Sequence, residues 1–287
     1  MPILALVLVL IAAFLHAFWN LLAKDARDAS AFMWWGVALG ATWYGVWVFA
    51  QTWVGMPIQV CLIFIPSIIA EVAYVRLITR GYATGDLSQV YPIARGAPPL
   101  LIALWSAIFL SERLPPLGYV GVALLIVGVY LASVQSFADV FQPVHALLHR
   151  PAQFAALAAL CVSIYSTLDK LNMQFVSPIV YNAWVYAGIA IGYAPVVWAR
   201  SHRAATVREI KTSWRKILIG SVATIASYAL ALTGMAMTAA SYVGAVRATS
   251  VVIGALFGWL WLKESFGPLR VFASCVMLAG LILIALA

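Results

Sequence analysis

Residues 85–112 read GDLSQVYPIARGAPPLLIALWSAIFLSE, and this stretch decides the fold class. It is apolar enough to lie in a membrane, yet it carries Arg95 between Pro92 and the pair Pro98–Pro99. A charge at membrane depth costs roughly 2.5–3.5 kcal/mol on insertion scales, and each proline removes a backbone donor. Because irregular backbone survives at that depth only inside protein or against a cavity, we predict an interrupted helix that lines a cavity.

The whole chain has the composition of a helical membrane protein. Of its 287 residues, 65% are hydrophobic and only 9% are charged, and apolar runs of about 20 residues recur along its length. The net charge of +8 comes from bases in the loops between these runs, so we expect anionic membrane lipids, not nucleic acid, as partners. The three cysteines lie in apolar segments without a CxxC pair, which predicts no disulfide framework, no metal site and no cofactor.

The apolar runs predict an all-α membrane protein with ten transmembrane helices. The first run has no basic leader and no clear cleavage site, so we interpret it as a span rather than a signal peptide. Basic residues concentrate after the odd-numbered spans, which predicts cytoplasmic loops there and both termini outside. The expected spans are about 3–22, 31–53, 61–79, 87–110, 117–134, 152–169, 178–198, 217–236, 241–262 and 268–287.

The chain contains an internal repeat. Each half, 1–134 and 152–287, holds five expected helices joined by a linker at 135–151. An odd number of spans makes the second half enter from the opposite side, so the repeats are inverted and the substrate site should lie near the midplane between them. Two offsets align the halves. The first places Arg95 on Arg247, Glu112 on Glu264, Pro116 on Pro268 and Gly128 on Gly280. The second places Trp19 on Tyr165, Asn20 on Ser166 and Lys24 on Lys170.

Three charged residues fall inside expected spans. Arg95 and Arg247 would bind an anionic group such as a substrate carboxylate, or would act as structural cations. Glu71 lies in mid-span, where an intramembrane carboxylate is a functional candidate by default. It would carry a proton, or it would form a fixed ion pair with Arg76 or Arg95.

A polar stripe runs along the first helix through His16, Asn20 and Lys24, with Trp19 beside it. The stripe would line the cavity, or it would form interhelical hydrogen bonds worth only ~0.6 kcal/mol each. Since a histidine titrates near neutral pH, His16 joins Glu71 as a proton-coupling candidate. Lys24 is expected to snorkel to the membrane surface.

Aromatic residues divide into two groups. Those near span ends, Trp34 among them, fit an interfacial belt, whereas those deep in spans would pack in the core or hold a flat or cationic substrate. The fourth helix is the expected hinge, at Pro92, Gly96, Pro98 and Pro99. The expected substrate-binding set is His16, Trp19, Asn20, Tyr74, Tyr91, Arg95, Tyr165, Ser166, Tyr228 and Arg247.

Three motifs carry a family resemblance. They are the Trp19–Asn20…Lys24 spacing, the run GDLSQVYPIARGAPP, and the repeated FLSERLPP and WLKESFGP at helix ends. With them the chain resembles the ten-helix drug/metabolite transporter superfamily, EamA type. The resemblance implies two inverted five-helix repeats, a central cavity, and export of small organic solutes by alternating access. Family members include YddG-like aromatic amino acid exporters, and the related single-half multidrug proteins carry a proton-binding Glu where this chain has His16.

These observations predict a monomeric transporter in a bacterial inner membrane. We expect export of amino acids, with aromatic or hydrophobic ones favoured, or of similar small metabolites. A lipid-linked sugar flippase and multidrug efflux on the same fold remain alternatives. An enzyme is disfavoured because it would need paired carboxylates or a His–Asp constellation at membrane depth, and Glu71 is the one carboxylate that lies clearly inside a span.

Overall fold

The computed structural model describes residues 1–24, 26–51, 56–84, 87–133, 141, 149–262 and 268–287, and these ranges are almost entirely helical. Five of the helices are long and apolar enough to cross a membrane, and shorter apolar helices accompany them. The predicted all-α membrane fold is therefore confirmed. The helices are α1 Ile3–Lys24, α2 Ala29–Gln51, α3 Ile58–Thr84, α4 Leu87–Phe109, α5 Pro116–Ser133, α6 Arg150–Asn172, α7 Pro178–Val197, α8 Arg203–Met237, α9 Ala240–Arg247, α10 Ser250–Leu262 and α11 Pro268–Leu286.

Proline starts several of these helices. α5, α7 and α11 begin at Pro116, Pro178 and Pro268. In the first turn of a helix the backbone N–H has no intrahelical acceptor, so proline loses no hydrogen bond there, and its fixed φ already suits a helix. Ser177 completes the start of α7, since its hydroxyl accepts a hydrogen bond from the backbone N–H of Val180 (3.4 Å).

The fourth span is one helix. The sequence predicted an interruption at its prolines, but α4 continues from Leu87 to Phe109. A proline removes only one helical hydrogen bond, and membrane helices tolerate it where neighbouring groups satisfy the released carbonyl. Pro98 and Pro99 are buried, so these two prolines face protein, although they do not divide the helix.

The ninth span is the one that is divided. α9 ends at Arg247 and α10 begins at Ser250. At the interruption the carbonyl of Val246 accepts both the backbone N–H (3.1 Å) and the hydroxyl (2.7 Å) of Thr249. Arg247 therefore lies at a helix C-terminus, where the helix dipole favours a cation.

The basic stretch 200–216 was expected to be a loop, and this expectation was wrong. α8 starts at Arg203 and extends well beyond the expected span. Its first turns are fixed by buried contacts: Thr206 donates to the carbonyl of Val197 (2.7 Å), and Glu209 accepts the backbone N–H of Asp28 (3.1 Å). These contacts explain why charged residues continue the helix instead of ending it.

Helices of the first half of the chain pack against helices of the second half. α1 contacts α8, α3 contacts α6, α2 contacts α7 and α5 contacts α11. In the last pair the backbones almost touch: a Cβ added to Gly121 would lie 2.9 Å from the carbonyl oxygen of Gly280, and one added to Gly128 would lie 3.0 Å from that of Ala273. Small residues allow this close approach between membrane helices.

The turn between α8 and α9 is held by two charged residues, one from α6 and one from the α4–α5 connection. The ammonium of Lys170, the repeat partner of Lys24, donates to the carbonyls of Met235 and Thr238 at the end of α8. The carboxylate of Glu112 accepts the backbone N–H of Ala240 (2.7 Å) at the start of α9. Each charge complements the helix terminus that it contacts.

Candidate substrate cavity

A cavity lies between α1, α2, α3, α6, α7, α8 and α9, and both chain halves line it. Its volume is about 140 Å³, roughly ten times the space that one ordered water needs. It can therefore hold a small organic molecule. The lining residues are His16, Trp19, Asn20, Met33, Trp34, Val37, Glu71, Tyr74, Val75, Tyr165, Tyr186, Ile189, Tyr193, Thr224, Ser227, Tyr228 and Arg247.

Most residues of the expected binding set lie on this lining. Ser166 does not: it is buried in α6 and is absent from the lining of this cavity. Of the residues predicted on α4, the side chains of Tyr91, Pro92, Arg95 and Gly96 lie outside the described part of the structure. The residues that the cavity brings together are His16, Trp19, Asn20, Glu71, Tyr74, Tyr165, Tyr228 and Arg247.

Trp19 positions the first helix against α2 and α8. Its indole stacks on Phe32 with ring centroids 5.6 Å apart, and two glycines give it room. A Cβ at Gly36 would lie 2.8 Å from the indole, and one at Gly220 would lie 3.1 Å from it. The polar neighbour Asn20 donates its amide N–H to the carbonyl of His16 (2.6 Å), so its amide is bonded within its own helix.

Asp169 is the shared acceptor of a buried hydrogen-bond network that includes Tyr228 of the cavity lining, and the sequence analysis did not predict it. Its carboxylate is fully buried and accepts hydrogen bonds from Ser67 (2.6 Å), Tyr181 (2.5 Å) and Tyr228. One carboxylate thereby joins α3, α6, α7 and α8. Charge-assisted bonds of this kind are about twice as strong as neutral ones, which offsets the cost of burying the charge.

A signal for Asp169 exists in the sequence. Tyr165, Asp169 and Asn172 are spaced as i, i+4 and i+7, which places them on one helical face. The expected sixth span ends at residue 169, so Asp169 was not counted among the carboxylates inside the membrane. In the structure its side chain and that of Lys170 diverge, since Lys170 reaches the end of α8 while Asp169 turns inward.

Glu71 is the second buried carboxylate, and it opens onto the cavity. It is 6% exposed, and its Oε1 lies 3.2 Å from the hydroxyl of Tyr228. The expected partners were Arg76 or Arg95, but Arg76 is exposed and the hydrogen-bond partner described for Glu71 is Tyr228. Its Oε2 is buried and has no hydrogen-bond partner among the described residues.

Arg247 provides a positive charge on the same lining. Its guanidinium lies over the ring of Tyr228, 5.4 Å from the ring centroid, a distance within the range of cation–π interactions. Tyr228 thus contacts three charged groups, with its hydroxyl between two carboxylates and its ring face against the guanidinium.

α2 and α7 supply a wall of the cavity that the sequence reading missed. Trp34 was assigned to the interfacial belt, but it lines the cavity and donates its indole N–H to the carbonyl of Ala190 (2.9 Å). On α7, the hydroxyl of Tyr186 pairs with that of Thr224 (3.0 Å). A tryptophan near a span end can lie either in the interfacial belt or on a cavity lining, so its position along the span does not distinguish the two.

A bundle of membrane-spanning helices around a polar and aromatic cavity is the architecture of integral membrane transport proteins. Residues 150–286 match the EamA-like transporter family, so the second half of the chain is an EamA-like domain. The resemblance to EamA-type drug/metabolite transporters is confirmed over these residues, and the family match indicates a membrane transporter of small molecules.

The fold also recurs in a solved structure. A crystal structure of a protein with 16% sequence identity superposes with a TM-score of 0.72, covering 99% of this chain and 96% of the other. At that identity the likeness establishes the fold alone. No curated protein matches the sequence.

Proposed function

We propose that this protein exports amino acids with aromatic or hydrophobic side chains, or similar small metabolites, across a bacterial inner membrane. The observation that carries the proposal is one cavity in which a guanidinium, Arg247, shares the lining with a carboxylate, Glu71, and several aromatic rings. The guanidinium suits the substrate carboxylate, and the rings suit an apolar side chain. Arg95 belongs to the same proposal as a second cation.

We propose that transport proceeds by alternating access between two inverted repeats, 1–134 and 152–287. The packing supports this, because the repeat offset places Gly121 on Ala273 and Gly128 on Gly280. The contact of Gly121 with Gly280 therefore has a symmetric counterpart, the contact of Ala273 with Gly128, and both contacts occur. α4 would bend at Pro92, Gly96, Pro98 and Pro99 as the repeats rock. The division after Arg247 offers the second half a bending point of its own.

The proposal includes a monomer in contact with membrane lipids. Lipid contact is supported by the bases of α8, where Arg215 lies over the ring of Trp214, 5.2 Å from its centroid. Such a pair suits the interfacial region with its anionic headgroups. If transport is coupled to protons, Glu71 and His16 are the groups on the cavity that would titrate.

An enzyme remains disfavoured even though Asp169 supplies the second buried carboxylate that such a hypothesis required. Both oxygens of Asp169 already accept hydrogen bonds from hydroxyl groups. Neither oxygen is presented to the cavity as a catalytic base must be.

A liposome assay tests the proposal. Purified protein in proteoliposomes should accelerate efflux of labelled L-phenylalanine, and Arg247→Gln should lower the rate at least about tenfold, because a charge-assisted contact is worth roughly 1.5–3 kcal/mol. Arg200→Gln is the matched control, since Arg200 is exposed in the α7–α8 connection. Equal efflux from Arg247→Gln and wild type would remove Arg247 from the site. Wild-type efflux no faster than from empty liposomes, for every amino acid tried, would reject amino acid export.

A further inference from the structure

Glu71 has one carboxylate oxygen without a hydrogen-bond partner among the described residues. The side chain is 6% exposed and lines the cavity, and its Oε2 has no hydrogen-bond partner among the residues that the structure describes. A buried polar atom without a partner costs about 1–3 kcal/mol, and more when it is charged. Such atoms are rare in native proteins, and each one calls for a specific explanation.

The neighbouring hydroxyl does not relieve this deficit. Tyr228 has one hydroxyl hydrogen, while carboxylate oxygens of Glu71 and Asp169 both lie within hydrogen-bond distance of it. When the hydrogen points to Asp169, both oxygens of Glu71 require a donor from elsewhere.

The described side chains around the cavity also carry more negative than positive charge. Among the side chains that the structure describes, two carboxylates, Glu71 on the lining and Asp169 bonded to Tyr228, lie beside one guanidinium, Arg247. The aromatic rings of Tyr74 and Tyr165 stand on the same lining, 6.4 Å apart. Ring faces attract cations, so both the charge and the walls of the cavity favour a positively charged group at Glu71.

We infer that Glu71 is the binding site for a protonated amine of the transported solute, which rests on the transport function proposed above. The ammonium would donate to Oε2, and the apolar body of the solute would lie against the rings of Tyr74 and Tyr165. In an α-amino acid the carboxylate would then reach Arg247. Solutes that carry a carboxylate but no amine would leave Glu71 unpaired, so the site selects amines against simple carboxylates.

The experiment compares three ligands that share a phenyl ring: phenethylamine, which has only the amine; 3-phenylpropanoate, which has only the carboxylate; and L-phenylalanine, which has both. Binding is measured by calorimetry on the full chain in nanodiscs. The variant is Glu71→Gln. The matched control is Glu209→Gln, because Glu209 is equally buried, also has an unpartnered oxygen, and lies outside this cavity, against the N–H of Asp28.

We expect wild type and Glu209→Gln to bind phenethylamine and L-phenylalanine, and Glu71→Gln to bind both roughly tenfold or more weakly. The propanoate should bind weakly to all three proteins. The inference is overturned if Glu71→Gln stays within about threefold of wild type for phenethylamine, or if wild type binds the propanoate as tightly as L-phenylalanine. The ligand comparison on wild type decides the matter even if Glu71→Gln does not fold.

Failure of the inference and failure of the proposed function give different results. Amino acid binding that is insensitive to Glu71→Gln would overturn the amine site and leave amino acid transport standing. Binding of phenethylamine that depends on Glu71, without binding of any amino acid, would support the amine site and reject amino acid export.

Discussion

Asp169 and Glu71 are two buried carboxylates that meet the same tyrosine, yet their surroundings differ. Asp169 is enclosed by hydroxyl groups from three other helices, whereas Glu71 has one shared contact and one unpartnered oxygen on the cavity. A carboxylate with all its acceptors filled fixes helices in place, and one with an acceptor left over is available to a ligand. Chemical type and burial alone do not separate these roles, but hydrogen-bond satisfaction together with a position on the cavity lining does.

The largest effect should come from Asp169→Asn. The amide would direct N–H groups at hydroxyls that now donate to the carboxylate, leaving at least one of them unsatisfied. We expect the free energy of unfolding to fall by about 3 kcal/mol, measured by reversible denaturation in detergent micelles. Ser67→Ala, which removes a single donor, should cost only about 1 kcal/mol. Equal losses for the two variants would mean that Asp169 is not the centre of the network.

Tyr228→Phe should have an intermediate effect. It removes the hydroxyl between the carboxylates and keeps the ring face under Arg247, so we expect a loss of about 1 kcal/mol in unfolding free energy. In the Asp169→Asn background the same change should cost less, because the partner of the hydroxyl is already altered. Tyr186→Phe is the control, since its hydroxyl pairs with Thr224 instead and its effect should be additive with Asp169→Asn.

The smallest effect on stability should come from Glu71→Gln. Glutamine keeps an oxygen for the Tyr228 hydroxyl and removes a buried charge, so we expect the unfolding free energy to change by no more than about 0.5 kcal/mol, or to rise. Thermal unfolding of the ligand-free protein measures this. A loss as large as that of Asp169→Asn would make Glu71 a structural residue and end the contrast between the two carboxylates.

The fold and much of the cavity follow from the sequence, because apolar runs and intramembrane polar residues carry strong signals. Glu71 and Arg247 stand out since each is isolated in an apolar run. Asp169 does not, because it adjoins a lysine near the end of an expected span. Its role depends on hydroxyl groups from helices far away in sequence, such as Ser67, and no local pattern records them.

The interruption of the ninth span was unpredictable for a related reason. Three prolines suggested a division of the fourth helix, but a proline removes only one bond and the surrounding protein decides whether the helix continues. The division after Arg247 lies where no proline marks it. There the hydroxyl of Thr249 bonds a backbone carbonyl. Threonine hydroxyls can compete in this way with helical hydrogen bonds at many positions, so the sequence does not mark this one.

The close contact between α5 and α11 also bears on the order in which the protein is assembled. Synthesis proceeds from the N-terminus, so α5 is made well before α11, and its glycine face at Gly121 and Gly128 meets lipid while the second half is still being inserted. The contact with Gly280 can form only after α11 arrives. The joining of these two helices is thus a late step in biogenesis, and the first half must remain in the membrane without it until then.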